Sequence, residues 1–446
     1  MQARSPSRSS PIAAVPRPRV ESPSSQPPAQ VSLSESLQQL QGQAAFAQPS
    51  PIPTRLSTAP PSAQSPPPPP LAPPTGLFVE GLTDRRLFVR LPESDPVQLL
   101  LEQYVPPEHR PRRDLSGDYR GQTLDQLVAA HNWRGVARLA YDQITQSPPQ
   151  QTAHILDHWL LRFHALLRLH LVGALSAELS AVTSLLPPAP YLSPNPPSDL
   201  PFHPSVPFEL YLLSASLPSI VPDIEGGDKP AAVEALARLL QAAKGEMWRA
   251  KRAGDGGTEG EWRERVERVG EVLSGVLSEI KADSAKRALL ASSSPSPTDS
   301  LLAALARYHY STGDLASLAA SRPTADRDAR KVRVLERVAR AEWDEAEAEL
   351  RGLVREDGED LEAQVNLAVV LLYSAKLDEA ITHLQSLLAS HPLASHHSPA
   401  LLFNLSTLYE LRSERAQDDK VRLLVAAAAC GGGAQGVEAG AFKLAL

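Results

Sequence analysis

The chain has 446 residues, 43 of them proline, a single cysteine and a formal net charge of −7. The first 74 residues hold 19 prolines, five arginines, no lysine and two glutamates, near +3, so the remainder is near −10. An acidic body with no Lys/Arg stripe and interleaved aromatics repels phosphate backbones and argues against nucleic-acid binding, and a lone Cys430 excludes an internal disulfide and fits a reducing compartment.

Residues 1–76 form a low-complexity segment ending in SPPPPPLAPP (65–74), expected to be a disordered Pro/Ser-rich tail. Polyproline II there suits a stiff spacer or an SH3 or WW ligand, and five Ser-Pro pairs are candidate phosphorylation sites. The Arg- and Ser-rich start has a transit-peptide flavour, but Pro6, Pro11, Pro16 and Pro18 would break the amphipathic helix such a peptide needs. The longest apolar runs, LAVVLLY (367–373) and LLVAAAAC (423–430), fall far short of the roughly 20 residues of a membrane span. A soluble, cytosolic chain is the expectation.

Residues 77–121 read as a partly ordered docking segment, with LFVRL (87–91) as a short strand or docking element. Helical periodicity starts at Thr123: LDQLVAAHNWRGVARLAYDQI places Leu124, Leu127 and Val128, then Val136, Leu139 and Ile144, on two amphipathic faces that turn at His131 and Asn132. A second pair over 155–186 is expected to turn near Gly173, and a proline-rich loop follows over 187–207. Further helices are predicted at 208–220, 230–250, 262–290 and 300–310, separated by GDGGTEGE (254–261) and SSSPSPT (292–298). We assign 122–290 to a divergent helical-hairpin region and 299–446 to a regular one, with helices near 327–341, 343–356, 361–374, 377–390, 399–414 and 418–429. No run of strands is visible, so the body is all-α.

The regular region explains itself. EWDEAEAELRGLV (342–354) recurs 34 residues later as KLDEAITHLQSLL (376–388), matching Ala346 with Ala380, Leu350 with Leu384 and Leu353 with Leu387. A 34-residue period of paired helices is that of tetratricopeptide repeats. With Ala380 at repeat position 20, where two helices approach closely, Leu367, Leu384, Leu387 and Pro392 fall at positions 7, 24, 27 and 32. The predicted architecture is a tetratricopeptide-like α-solenoid, in which the repeated face is packing, because no hairpin buries its apolar side alone. Function then belongs to the surfaces of the stack.

Chemistry is sparse. His154 and His158 share a helix face, but HILDH lacks the glutamate of a metalloprotease and a third ligand, so they read as structural or surface histidines. His391, His396 and His397 fall in what reads as a solvated loop, Glu359 and Asp360 at a solvated helix start, and Cys430 as a buried thiol. The glycine runs at 254–260 and 431–433 lack the Lys-Ser/Thr of a phosphate loop, and the Asn404 sequon sits in a helix. No catalytic constellation emerges, so the chain is expected to be no enzyme, with no cofactor and no metal. The alternative of a co-chaperone or other peptide clamp needs a cation and amide set: Lys331 and Asn366 fit it, whereas Leu335, Ala400 and Asn404 occupy the other places.

On the first helix of each hairpin, chiefly positions 2, 5, 9, 12 and 13 line the concave face, which places Val365, Val369, Leu372 and Tyr373 there in one repeat and Phe403, Thr407, Glu410 and Leu411 in the next. Of these, Tyr373, Phe403, Val369 and Glu410 are the partner-binding candidates. Rigid aromatics dominate interfaces, while an aromatic at helical spacing is also the usual core residue.

Several stretches resemble the trafficking protein particle complex subunit 12 family: LLFNLSTLYEL (401–411), the charged turn RSERAQDDK (412–420), the closing FKLA (442–445), NWRGVARLA (132–140), HWLLRFHALLRL (158–169), SVPFELYLLSA (205–215) and NLAVVLLYSAKLDEAITHL (366–384). The resemblance covers roughly 120–446, with LASLAASRPTADRDARK (315–331) looking shortened. It implies a scaffold in a vesicle-tethering assembly that promotes nucleotide exchange on a Rab-family GTPase, in ER-to-Golgi transport and autophagy. It implies contact with other subunits, especially one like subunit 11, and a cytoplasmic location peripheral to early secretory membranes.

Overall fold

A computed structural model describes residues 77–187, 202–221, 228–280, 283–292 and 297–445. The proline-rich tail at 1–76 and most of the loop at 187–207 lie outside the described residues. Among those described there are 18 α-helices and no strand. In chain order they are α1 (Pro96–Tyr104), α2 (Leu124–Ala129), α3 (Trp133–Gln146), α4 (Thr152–Arg168), α5 (Val172–Leu185), α6 (Phe208–Ile220), α7 (Lys229–Ala253), α8 (Gly256–Glu279) and α9 (Ser284–Ser292). There follow α10 (Asp299–Thr312), α11 (Leu315–Ala320), α12 (Asp326–Ala339), α13 (Trp343–Glu356), α14 (Leu361–Tyr373), α15 (Leu377–Ser390), α16 (Pro392–His396), α17 (Pro399–Arg412) and α18 (Ala416–Ala429).

Consecutive helices pack on one another as a solenoid. One turn closes hairpin after hairpin. His131, His170, Gly254, Gly313, Ala341 and Ala375 each take a left-handed conformation, with φ between 53° and 73°. The next N–H bonds back across six residues: Asn132 to Leu127 O, Leu171 to Leu166 O, Asp255 to Ala250 O, Asp314 to His309 O, Glu342 to Arg337 O and Lys376 to Leu371 O, at 2.9–3.1 Å. This Schellman closure satisfies carbonyls that the helix end leaves orphaned. In all six turns the residue that donates the bond becomes the N-cap of the following helix, and in three of them its side chain caps too: Asn132, Asp255 and Asp314 accept from the backbone N–H of Gly135, Thr258 and Ser317.

That turn corrects several expectations. The second hairpin reverses at His170, not Gly173, because Gly173 is already in α5. The break at Gly254–Glu261 is shorter than expected: Gly254 forms the turn, Asp255 caps, and α8 already starts at Gly256. The segment that looks shortened does hold a short helix, the six residues of α11.

Apolar faces gather into two main cores. One draws Trp159, Phe163 and Leu166 of α4 together with α5 to α9; the other holds α12 to α15, α17 and α18. Ala346 and Ala380 are both fully buried in the second, as close helix approach at that repeat position requires. LFVRL is no strand. Arg85–Leu87 is a 3₁₀ turn, and Phe88 is extended, stacked on Trp159 at 4.3 Å. Val89 N–H donates to Glu178 Oε1 (2.8 Å), and Glu178 is itself forked onto Arg162 at 2.5 and 2.6 Å in the interior. Removing one partner of such a buried pair costs about 3–5 kcal/mol. Downstream, α1 lies where the sequence predicts no helix. Asp95 caps it through Gln98 N–H, and its Val97, Leu100 and Leu101 join the core of the last hairpins, far away in sequence.

Candidate interaction surfaces

Tyr373, the last residue of α14, is 44% exposed and stacks on Trp343 at the start of α13, with centroids 5.0 Å apart and planes 15° from parallel. The stack holds the ring rigid while leaving the phenol edge to solvent. Val369, one turn earlier, is half-buried. On α17, Phe403 is half-buried beneath the Lys443 ammonium, 5.3 Å above its ring. Glu410 pairs with both Lys420 and Lys443. Burial works to raise its pKa, and the two ammonium groups outweigh burial and hold it below the usual carboxylate range.

Phe403 and Glu410 are thus gathered around Lys443, in a segment of the chain's own that folds back over α17. Phe442 is fully buried there, Ser406 Oγ donates to Ala441 O (3.4 Å), and Tyr104 of α1 donates to Ala445 O (2.9 Å). The tier that stays open on this side carries Tyr373, and at the matching repeat position Leu411, 57% exposed.

The cations a peptide clamp would use are engaged internally. Lys331 lies 2.7 Å from Glu362 and 3.1 Å from Asp360, and Arg330, Arg333 and Arg337 converge on Glu349 at 2.5, 3.6 and 3.3 Å. Asp360 is no solvated helix start. It accepts from Ala363 N–H as N-cap of α14 and pairs with Arg327 at 2.5 Å.

The glycine run 431–436 proves to be a joint. Arg134 N–H donates to Gln435 Oε1 (3.0 Å), Gln435 Nε2 donates to Asp114 O (3.2 Å), and Arg113 Nε donates to Gly433 O (2.7 Å). Gly436 has φ +76°, and a Cβ there would sit 2.0 Å from Arg168 O, so only glycine fits against α4. His131 stacks on His397 at 4.4 Å, with planes 9° apart. Burial, then the charges of His397 and Arg168, push His131 down to about 4, so the ring is neutral at pH 7. His397 is therefore no solvated-loop residue, and neighbouring His396 is buried. These contacts, with α1 on α18, bring the last hairpin back onto the first ones. Sequence reading missed the joint; its signal was the density of glycines, which marks positive φ or close backbone approach.

A cavity of about 230 Å³ opens at this joint, bordered by Arg112, Asp114 and Cys430. Burial pushes the Cys430 thiol up, which disfavours a thiolate nucleophile. His154 and His158 lie ring to ring at 4.3 Å, and His158 Nδ1 is bonded to the His154 carbonyl at 2.9 Å. Among the described residues no three His, Cys, Asp or Glu side chains gather to hold a metal ion, and no helix is long and apolar enough to cross a membrane.

No family model and no solved structure matches the chain. It is 38% identical over 76 residues to trafficking protein particle complex subunit 12 of Mus musculus, covering 17% of this chain and 9% of that protein. It is 24% identical over 379 residues to the protein of the same name from Homo sapiens, covering 75% of this chain and 51% of that protein. The chain thus spans about half the length of the human protein and only a short part of the mouse one. Together these two matches make it a distant relative of trafficking protein particle complex subunit 12.

Proposed function

We propose that this chain is a non-catalytic scaffold subunit of a trafficking protein particle complex. The observation that carries the reading is the alignment with the human subunit across three quarters of the chain. A stack of hairpins whose repeated alanines and leucines are packing, with the Glu349 and Asp360 clusters engaged in ion pairs, supports it: such an object acts through the partners it holds. In this reading its partners are the other subunits, especially one like subunit 11, and through them a Rab-family GTPase. The setting is ER-to-Golgi transport and autophagy, at the cytoplasmic surface of early secretory membranes. The engaged state of Lys331 lends nothing to the co-chaperone alternative.

Tethering subunits should co-purify with the tagged full chain in proportion to it, as measured by mass spectrometry. Recovery of heat-shock chaperones without any tethering subunit would sink the proposal. Within it, Tyr373 is the docking residue of choice, being rigid, amphipathic and exposed. Tyr373→Ala should weaken capture of the other subunits and leave the melting curve of the isolated chain in place; a joint fall of both would make Tyr373 a packing residue.

A further inference from the structure

The segment that leads into α1, together with α3 and α4, walls an open groove of about 640 Å³. Five arginines border it, Arg85, Arg90, Arg134, Arg138 and Arg162, against one carboxylate, Glu93. That concentration runs against the −7 charge of the whole chain. The five are not equivalent. Arg162 is neutralised by Glu178 in the interior. Arg90 forms with Glu93 an exposed pair one helical turn apart in sequence, the weakest kind of ion pair, easily exchanged for another carboxylate. Arg138 is exposed and donates to the Ser116 carbonyl (2.6 Å), and Arg85 is exposed with no ion pair among the described residues.

Arg134 is only 3% exposed, yet among the described residues its guanidinium meets carbonyl groups alone, those of Pro92, Leu115 and Ser94, and its Nε has no partner there. Burial lowers its pKa, with Asp95 opposing, but a guanidinium keeps its charge at pH 7. A buried charge without a counter-charge in contact is costly, and an anion arriving in the groove would offset it. Between the arginines lies an apolar floor, with Phe88 locked by its stack on Trp159 and by the edge of Tyr141 at 4.6 Å.

We propose that this groove binds an extended, acidic segment of a partner protein. Carboxylates meet Arg85, Arg90 and Arg138, for which the guanidinium fork is the matching donor, and an apolar side chain rests on Phe88. The chain's own tail is the wrong occupant, because its first 74 residues are near +3. An anionic bilayer is disfavoured as well: it would face the whole acidic body, whereas a peptide feels charges only within a Debye length of about 8 Å. A compact anion would leave the apolar floor unfilled. The proposal stands independently of the tethering complex.

The test is to pan the full-length chain against a displayed random peptide library and to synthesise the enriched peptides. Enrichment of sequences rich in Asp and Glu is expected, with binding that falls as salt rises. The combined variant Arg85→Glu/Arg90→Glu/Arg138→Glu should weaken those peptides by about tenfold or more, and its glutamine counterpart by less, with melting curves unchanged. Enriched peptides without an acidic bias, acidic peptides that bind both variants as well as the parent, or no enrichment at all would overturn the proposal. So would phosphatidylserine vesicles that bind the chain through these arginines when no peptide does.

Discussion

Replacing Ala375 by glycine should stabilise the hairpin it closes, although the change deletes a side chain. Ala375 holds φ at +61°, where a Cβ crowds the carbonyl, a cost of about 1–2 kcal/mol. Glycine removes that cost and adds back roughly 0.4–1 kcal/mol of unfolded-chain entropy. The expected net gain is about 0.5–1 kcal/mol. The same protein holds the reverse experiment: Gly313 closes an equivalent turn at φ +73°, with nothing within 4 Å of where its Cβ would lie. Gly313→Ala therefore introduces the backbone cost with no clash, and should destabilise by a similar amount. An array of hairpins opens locally, so the readout is native-state hydrogen exchange of α14 and α15 for one variant and of α10 and α11 for the other. Protection should rise roughly two- to fivefold in the first and fall by that factor in the second. Faster exchange in Ala375→Gly, as for a glycine placed in a helix interior, would refute the shared left-handed turn.

Ala380→Arg should unfold the last hairpins, since a guanidinium placed at a fully buried contact costs several kcal/mol, and an unshifted thermal melt would reject the repeat register. Gly436→Ala drives a Cβ into the Arg168 carbonyl at 2.0 Å. It should release the joint, seen as raised hydrogen exchange over residues 431–445 with the α12–α15 hairpins still protected. For Asp360, burial raises the pKa, but the Ala363 N–H, Arg327 and Lys331 prevail and lower it. A depressed carboxyl stabilises the fold above its unfolded pKa, near 4, and loses that contribution as pH falls through the folded value. Asp360→Asn should therefore cost about 1–2 kcal/mol in urea unfolding at pH 7 and clearly less at acid pH; an equal cost at both would contradict the ionic role.

What the sequence determined by itself is local. The 34-residue echo of Ala346, Leu350 and Leu353 in Ala380, Leu384 and Leu387 was readable, because a helix spaces its buried face every three or four residues. The all-α class and most helix limits followed from that spacing and from the proline-, glycine- and serine-rich breaks between the periodic stretches. The common hairpin turn stayed hidden because only Gly254 and Gly313 mark it with glycine; at His131, His170, Ala341 and Ala375 the chain bears the backbone cost and leaves no compositional trace. Tertiary structure alone decided that α1 packs with the last hairpins, that Lys443 occupies Phe403 and Glu410, and that arginines from 85 to 162 share one groove. An amphipathic pattern states that a face must be buried, and a glycine that a backbone must come close. Neither names the surface that will do the burying, because that choice is made by shape and charge between segments distant in sequence.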